Sequence, residues 1–400
     1  MTTSREAMTA DATAAIGTTS TEYPIEFTGS GSEYFRIWIV NLLLTVVTIG
    51  IYSPWAKVRR LQYFYRNTRL ADSVFDYHGS PIALLKGRLI ALVLVGAYVA
   101  IGYVSITLAL IILCGLAAAL PWLIHRSFRF KLFQSSYRGL RFRFNGDLGG
   151  AYRVVLIPLL MVGAPVALAG LLGKRDGLED AGALVVGVLG LVALIGYALL
   201  PKFHHAFKRY QHGHGALGTT GAAFDARVHA FYSIYLKTAG IGVLVVALLV
   251  ATVGVGLVYV VGVRDVREDN TGSRFMLLLM VGSVLLLVAF YFALQFVLAF
   301  FNARLQNEVW SHTRLGETTF SSTVAARTLA FLYMKNLLLI LLTVGLYTPF
   351  AVINTLRYRL QAVSAITASD IDSFIADARP GENSTTGEGA VDLFDIDIAL

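Results

Sequence analysis

The sequence predicts an all-α, multi-pass membrane protein of about eight transmembrane helices, built from an internal repeat, with short β-strands in cytoplasmic connectors. Composition, long apolar runs and a motif that recurs five times lead to this fold class. The chain has 400 residues, of which 56% are hydrophobic and 14% charged, and its mean hydropathy is +0.66. Soluble domains carry about 25% charged residues, so a soluble globular class is excluded.

The apolar runs determine the number of helices. A bilayer core of about 30 Å is crossed by roughly 20 apolar residues in a helix. The run 89–124 is long enough for two spans, and the runs flanking 174–180 and 264–274 form two further pairs. We therefore expect three helical hairpins plus one span at each end, over 37–52 and 336–347.

An internal repeat organises these spans. A polar stretch with an aromatic residue leads into a basic or aromatic segment and then into a long apolar run. The five copies begin at Phe27, Phe75, Phe142, Phe224 and Phe320. A repeat of this size indicates a modular architecture, in which each unit packs against its neighbours.

Three regions are expected: a disordered polar tail over 1–23, a repeat-built membrane domain over 24–360, and an acidic tail over 361–400. Within the connectors, Leu140–Phe144 alternates aromatic and basic residues with period two, and Val74–Tyr77 repeats the pattern. Short strands are unstable alone, so strands from several units should pair into a small cytoplasmic sheet.

Positive charge is concentrated in four connectors, with net charges between +2 and +6. The positive-inside rule places these connectors in the cytoplasm: 56–88, 125–153, 202–237 and 302–335. If both terminal runs span the membrane, both acidic tails lie outside. If the terminal runs are re-entrant, the tails lie with the connectors. Eight full spans are the preferred reading, and the re-entrant alternative stays open.

The connectors are expected to contact the lipid bilayer through anionic headgroups, whereas nucleic-acid binding would need a solvent-facing basic domain. The acidic tail from Phe374 would dock on the connectors if both face the cytoplasm, or remain free outside.

Four histidines form the densest cluster of candidate ligands: His204, His205, His212 and His214. Such a group could hold a divalent metal. However, adjacent His204 and His205 point to different faces of a helix, and no cysteine or acidic ligand lies between the members. A basic interfacial segment is the preferred interpretation, and neither a metal nor another cofactor is predicted.

Three amides lie within the apolar runs. Asn41 and Asn336 occupy matching places in the terminal copies, and Gln295 lies in the run before the last copy. Because a polar group in lipid is costly, these amides indicate either a polar site between the terminal spans or interhelical hydrogen bonds, and the latter is preferred. No nucleophile–base pair or phosphate loop occurs in a suitable context, so no enzyme activity is expected.

Several segments resemble one family. They are EYFRIWIVNLLLT from Glu33, TIGIYSPWAKVR from Thr48, FDYHGSPI from Phe75, TVGLYTPF from Thr343 and GEGAVDLFDID from Gly387. These motifs are similar to those of the bacterial YjgN-like proteins, and the resemblance covers about residues 24–400. It implies a multi-pass inner-membrane protein of bacteria. The family is a domain of unknown function, so the resemblance carries no substrate or active site.

Two functions compete. A membrane scaffold or interaction protein predicts a closed helix bundle over a coherent sheet formed by the segments around Phe75, Phe142 and Phe224. A small-molecule or ion transporter predicts a water-accessible cavity that exposes Asn41, Gln295 or Asn336.

Overall fold

The computed structural model describes residues 20–172, 179–264, 271–368 and 371–379. Most of the predicted N-terminal tail, much of the two predicted hairpin tips and the end of the acidic tail lie outside these residues.

The described part of the chain is mostly helical but contains an extensive sheet. The helices are α1 (Gly31–Val47), α2 (Ser53–Arg66), α3 (Pro81–Val104), α4 (Ile106–Phe133), α5 (Leu148–Leu172), α6 (Glu179–Ala198), α7 (Leu200–His212), α8 (Val228–Arg264), α9 (Thr271–Ser311), α10 (Ala326–Leu342), α11 (Thr348–Gln361) and α12 (Ile371–Asp377). The strands are β1 (Thr21–Pro24), β2 (Glu26–Phe27), β3 (Thr68–Leu70), β4 (Ser73–Tyr77), β5 (Ser135–Tyr137), β6 (Leu140–Phe144), β7 (Gly215–Leu217), β8 (Thr220–Phe224), β9 (Thr313–Leu315), β10 (Thr318–Ser322) and β11 (Val363–Thr367).

The eleven strands form a closed antiparallel ring. Their order is β1-β11-β10-β9-β8-β7-β6-β5-β4-β3-β2, so the first and last places belong to consecutive strands of one N-terminal segment. Thr21 pairs with Thr367 in β11, whereas Phe27 pairs with Thr68 in β3. Between them, the Ile25 amide donates to the Val363 carbonyl over 3.0 Å. The predicted sheet is thus larger than expected, and it extends beyond the expected domain limits of 24 and 360.

Four hairpins of the same construction supply most of the ring. Each has a three-residue strand, a two-residue turn and a five-residue strand. The first turn holds Ala71 and Asp72 at φ +44° and +59°, and the second holds Arg138 and Gly139 at φ +49° and +82°. Two consecutive positive φ values are typical of type I′ turns, which match the right-handed twist of the strands.

The helices form a second closed circle above the ring. Around it, each helix packs against the next in the order α1, α2, α3, α4, α5, α7, α8, α9, α10, α11 and back to α1, while α6 packs on α5. Every short strand of a hairpin is preceded by a helix, and every long strand is followed by one. The helices that flank these hairpins therefore attach at one end of the ring, and the hairpin turns lie at the other.

The structure does not confirm eight spans. Within the described residues, four helical segments are long and apolar enough to cross a membrane: Pro81–Val104, Thr107–Phe133, Val228–Thr252 and Met280–Ser311. The pair Gly187–Ala198 and Leu200–His212, bent by 49°, makes a fifth if it counts as one span. The predicted 37–52 and 336–347 spans are not among them.

Both terminal apolar runs reverse direction within a helical hairpin. The Thr28 amide, just before α1, donates to the Asn67 carbonyl, just after α2, over 2.9 Å. In the same way the Thr323 amide, before α10, donates to the Ala362 carbonyl, after α11, over 2.9 Å. Each pair of helices is a hairpin that starts and ends at the ring, so the outcome matches the re-entrant alternative.

The tips of the two terminal hairpins satisfy their own backbone groups. Gly50 and Gly345 have φ values of +87° and +89°. The Gly50 amide donates to Thr45 over 2.7 Å, and the Gly345 amide donates to Ile340 over 2.8 Å. Because lipid offers no hydrogen bonds, such closure allows an apolar tip to lie in the hydrocarbon region.

The tip conformation predicts opposite effects for two glycine substitutions. Gly345→Ala should lower the free energy of unfolding by about 1–2 kcal/mol, because an L-residue is strained at positive φ. Gly282→Ala in α9 should leave stability unchanged or raise it by up to about 1 kcal/mol. Neither added methyl group meets an atom within 4 Å, so sterics are matched. Thermal unfolding in detergent measures both, and equal shifts would contradict a backbone origin.

A short helix closes the open end of the ring. Ile375 of α12 is buried against Tyr137 and Leu217, and Phe374 packs at the edge of the same cluster. The Arg138 guanidinium donates to the Asp372 carboxylate, and the Thr219 amide donates to the Ala378 carbonyl over 3.0 Å. The first part of the acidic tail is therefore docked against connector residues, as one of the two alternatives expected.

Two of the aromatic residues that anchor the helices lie two residues after the aromatic residue of the predicted motif. Tyr77, Phe144 and Phe224 are buried at the helix end of the long strands β4, β6 and β8, and Phe27 is buried at the end of β2. The predicted copies at Phe75 and Phe142 began two residues earlier, on the same strand face. A Cβ on Gly79 or Gly146 would lie within 2.7 Å of the preceding anchor ring, so glycine permits this contact.

Candidate functional site

A cavity of about 660 Å³ lies between α9, α10 and α11. It reaches the ring at Ile25, in the segment Thr21–Phe27 that closes the ring. Its lining is formed by Ile25, Tyr291, Gln295, Gln306, Trp310, Tyr333, Asn336, Leu337, Ile340, Thr348, Ala351, Val352, Thr355, Leu356, Arg359, Leu360 and Val363. The volume lies in the range of small-molecule sites. Tyr291 and Val352, which line the cavity away from the ring, are 49% and 36% exposed, so the cavity is open there.

Asn336 forms one polar wall. Its side chain is buried, and Nδ2 donates to the Ala351 carbonyl over 3.3 Å and to Thr355 Oγ1 over 3.1 Å. These bonds tie α10 to α11. The Oδ1 atom has no hydrogen-bond partner within the described residues, which leaves one buried acceptor unused.

Gln306 and Arg359 form the polar end next to the ring. Gln306 Nε2 donates to the Arg359 carbonyl over 2.9 Å, and Arg359 Nε donates to Gln306 Oε1 over 2.6 Å. This reciprocal pair holds the guanidinium in place, and its terminal nitrogens have no hydrogen-bond partner among the described residues. No carboxylate forms an ion pair with Arg359 within the part of the chain that the structure describes.

A second cation lies near this end. Lys208 Nζ donates to Gln211 Oε1 over 3.0 Å. Burial lowers the pKa of Lys208, and the positive charge of Arg359 lowers it further. An anion bound near both cations would therefore offset the repulsion that lowers the Lys208 pKa.

The structure brings together two of the three predicted amides. Gln295 and Asn336 both line the cavity. Asn41 does not, because it is buried within the first terminal hairpin, where its Oδ1 also lacks a partner among the described residues. Asn41 and Asn336 therefore lie in two separate helical hairpins and do not form one site.

Gln306 and Arg359 were missed in the sequence. One signal was available, because Gln295 and Gln306 are 11 residues apart, close to three turns of a helix, and so share one face of α9. No comparable signal pointed to Arg359, whose place follows from the return of α11 to the ring.

The four candidate histidines are held by separate partners. His204 Nδ1 is 2.9 Å from Tyr235 Oη, and His205 Nε2 is 2.7 Å from the Ala226 carbonyl. His214 Nδ1 is 3.0 Å from the Tyr210 carbonyl, while His212 packs edge-on against Trp310. Within the described residues, no group of three or more potential ligands could hold a metal ion.

Acid should destabilise the protein through His212, in the part of α7 next to the ring. Burial, and secondarily Lys208, lower the His212 pKa from 6.5 to about 4. Between these values the unfolded state binds more protons, so stability is present above pH 6.5 and is lost as pH falls towards 4. The loss is on the order of 3 kcal/mol.

Unfolding in detergent at pH 7.5 and pH 5 would measure this effect. His212→Gln should lose less stability between the two conditions than the unchanged chain, whereas an equal loss would rule out His212 as a source.

Comparisons with known proteins agree with a membrane assignment. A family model described as "Bacterial protein of unknown function (DUF898)" matches residues 22–393. A protein of Salmonella typhimurium named inner membrane protein YjgN is 29% identical over 201 residues, which are 48% of this chain and 50% of that protein. A protein of Escherichia coli O157:H7 with the same name is 28% identical over 186 residues, which are 44% of this chain and 45% of that protein. The chain thus spans about half the length of these curated relatives. No solved structure matches it significantly.

Proposed function

The chain belongs to this family of bacterial proteins and is an integral protein of the inner membrane, and from this premise we propose that it acts as a membrane scaffold or interaction protein. The observation that carries the proposal is the double closure: eleven strands form a ring, and the helices above it form a circle. Such a closed body holds its helices in fixed positions. Ile375 packs into the open end of the ring, which supports a structural role and not an open channel.

The proposed topology contains five repeat units. The three middle units each contribute two membrane-crossing helices, α3–α4, α5–α6 and α8–α9. The two terminal units contribute the re-entrant hairpins α1–α2 and α10–α11. With six crossings, the ring, the basic connectors and both tails lie in the cytoplasm, as the positive-inside rule favours. Anionic headgroups are the proposed partners of the connectors, and no enzyme activity or nucleic-acid partner is proposed.

A reporter fusion tests this topology. A fluorescent protein fused after Leu400 should fold and fluoresce in the cytoplasm, while alkaline phosphatase at the same place should be inactive. Eight full spans would reverse both results. A matched pair of fusions at residue 176, between α5 and α6, should give the opposite pattern, with phosphatase activity and no fluorescence.

A transporter is the second candidate, because Gln295 and Asn336 line a common cavity. Cysteine labelling separates the two functions. In a Cys114→Ala background, Gln295→Cys and Asn336→Cys would react with a membrane-impermeant maleimide if the cavity conducts water-soluble substrate. A scaffold leaves both unlabelled in intact vesicles.

Two further positions calibrate the labelling. Glu317→Cys, at an exposed hairpin turn, should react whenever reagent has access to the ring side. Leu287→Cys, on an exposed apolar part of α9, should stay unlabelled in the bilayer. Labelling of residues 295 and 336 at the rate of residue 317 would contradict the scaffold function and support the transporter function.

A further inference from the structure

We propose that the cavity between α9, α10 and α11 binds one anionic lipid, with its charged headgroup at Arg359 and an acyl chain along the apolar wall towards the hairpin tip. Lipid binding here is independent of the scaffold role, because it concerns a single occupant of one cavity and not the closure of the ring.

The polar end has the chemistry that an anionic headgroup requires. The Gln306 side chain is buried and accepts from the guanidinium of Arg359 at Nε, and the outer guanidinium nitrogens make no hydrogen bond to another described residue. Arginine donates to a phosphate or carboxylate through two parallel hydrogen bonds. Lys208 adds a second positive charge close by, and no carboxylate within the described residues pairs with either cation.

The opposite end has the chemistry that an acyl chain requires. The wall away from the ring includes Leu337, Ile340 and Val352. Val352 and Arg359 are seven residues apart on α11, so the apolar and cationic ends are separated by about 10 Å. A water-soluble anion would leave this wall unused, whereas an amphiphile matches both ends.

The middle of the cavity offers hydrogen bonds to the region between headgroup and chain. Gln295 has no hydrogen bond to another described residue, and Asn336 Oδ1 is an acceptor without a donor. The ester carbonyls of a glycerol-based lipid lie in this region and accept hydrogen bonds, and Gln295 Nε2 is a donor of the required kind.

Lipid retention by the purified full chain tests the proposal. The protein is placed in nanodiscs of phosphatidylcholine containing phosphatidylglycerol, and bound lipid is counted by native mass spectrometry. The unchanged chain should retain one phosphatidylglycerol in preference to phosphatidylcholine. Arg359→Gln should weaken retention about tenfold or more, as expected for a charge-assisted hydrogen bond.

Arg327→Gln is the matched control, because Arg327 is exposed at the start of α10 and does not line the cavity. It removes the same charge and should leave retention unchanged. Val352→Trp fills the apolar wall, keeps Arg359, and should also abolish retention. Should Arg359→Gln fail to fold, Arg359→Lys, which keeps the charge, and Val352→Trp decide the question.

Three results would overturn the proposal: equal loss in Arg359→Gln and Arg327→Gln, equal retention of phosphatidylcholine, or unchanged retention in Val352→Trp. Full displacement of phosphatidylglycerol by inorganic phosphate would also overturn it, because the acyl chain would then contribute nothing. None of these readouts depends on the maleimide labelling, so the lipid site and the scaffold can fail separately.

Discussion

Ile375→Asp should detach α12 from the open end of the ring and remove the protection of its backbone amides from hydrogen exchange. Ile375 is 4% exposed and packs on Tyr137 and Leu217, so the new carboxylate would be buried without a partner. An uncompensated buried charge costs about 3–5 kcal/mol. Because α12 is a peripheral segment, the chain would avoid this cost by releasing it.

Hydrogen exchange measured by mass spectrometry reports this release, since the Ala378 amide donates to the Phe374 carbonyl in the docked helix. Exchange over 371–378 should accelerate by two orders of magnitude or more, as about 3 kcal/mol implies. Ala376→Asp, one residue along on the exposed side, should leave exchange unchanged. Equal acceleration in both variants would mean that the apolar contact does not hold α12.

Phe231→Ala should cause the second large loss, about 3–5 kcal/mol of unfolding free energy. Phe231 is fully buried and packs with Phe224 and Val309, so it joins α8 to the ring and to α9. Its ring also lies edge-on against His205 of α7 at 5.2 Å between centroids.

Leu236→Ala, on the same helix, provides the comparison. Leu236 is 70% exposed and lies on the apolar outer surface of α8, so its loss should change stability by less than about 0.5 kcal/mol. Thermal unfolding of the two variants in one detergent gives the difference. Similar midpoints would show that the helix–ring junction contributes little to stability.

The sequence was most informative where periodicity and charge act locally. The alternation in Leu140–Phe144 predicted a strand, and that strand is present. The basic connectors predicted the segments that meet at the sheet. Closure of the ring was beyond these signals, because the two-residue strand β2 is too short to show a period. Its place depends on pairing with β3, which is distant in sequence.

The terminal runs show what hydropathy alone does not distinguish. The run 37–52 is as apolar as a true span, but its helix ends at Val47 and the chain reverses around Gly50. Glycine within an apolar run is also common in straight membrane helices, so composition alone does not distinguish the two outcomes. Likewise, the cationic end of the cavity exists only because the second terminal hairpin brings Arg359 back to Gln306.

The closing segment Thr21–Phe27 also fixes the order in which the ring can be completed. β2 pairs with β3 early in the chain, but β1 needs β11, which ends at Thr367. At about 5–20 residues per second, β1 leaves the ribosome tens of seconds before its partner exists. During that interval the growing sheet has two unpaired edges, which are prone to pairing with other chains. A chain that ends before Val363 would keep both edges open, so closure of the ring requires β11.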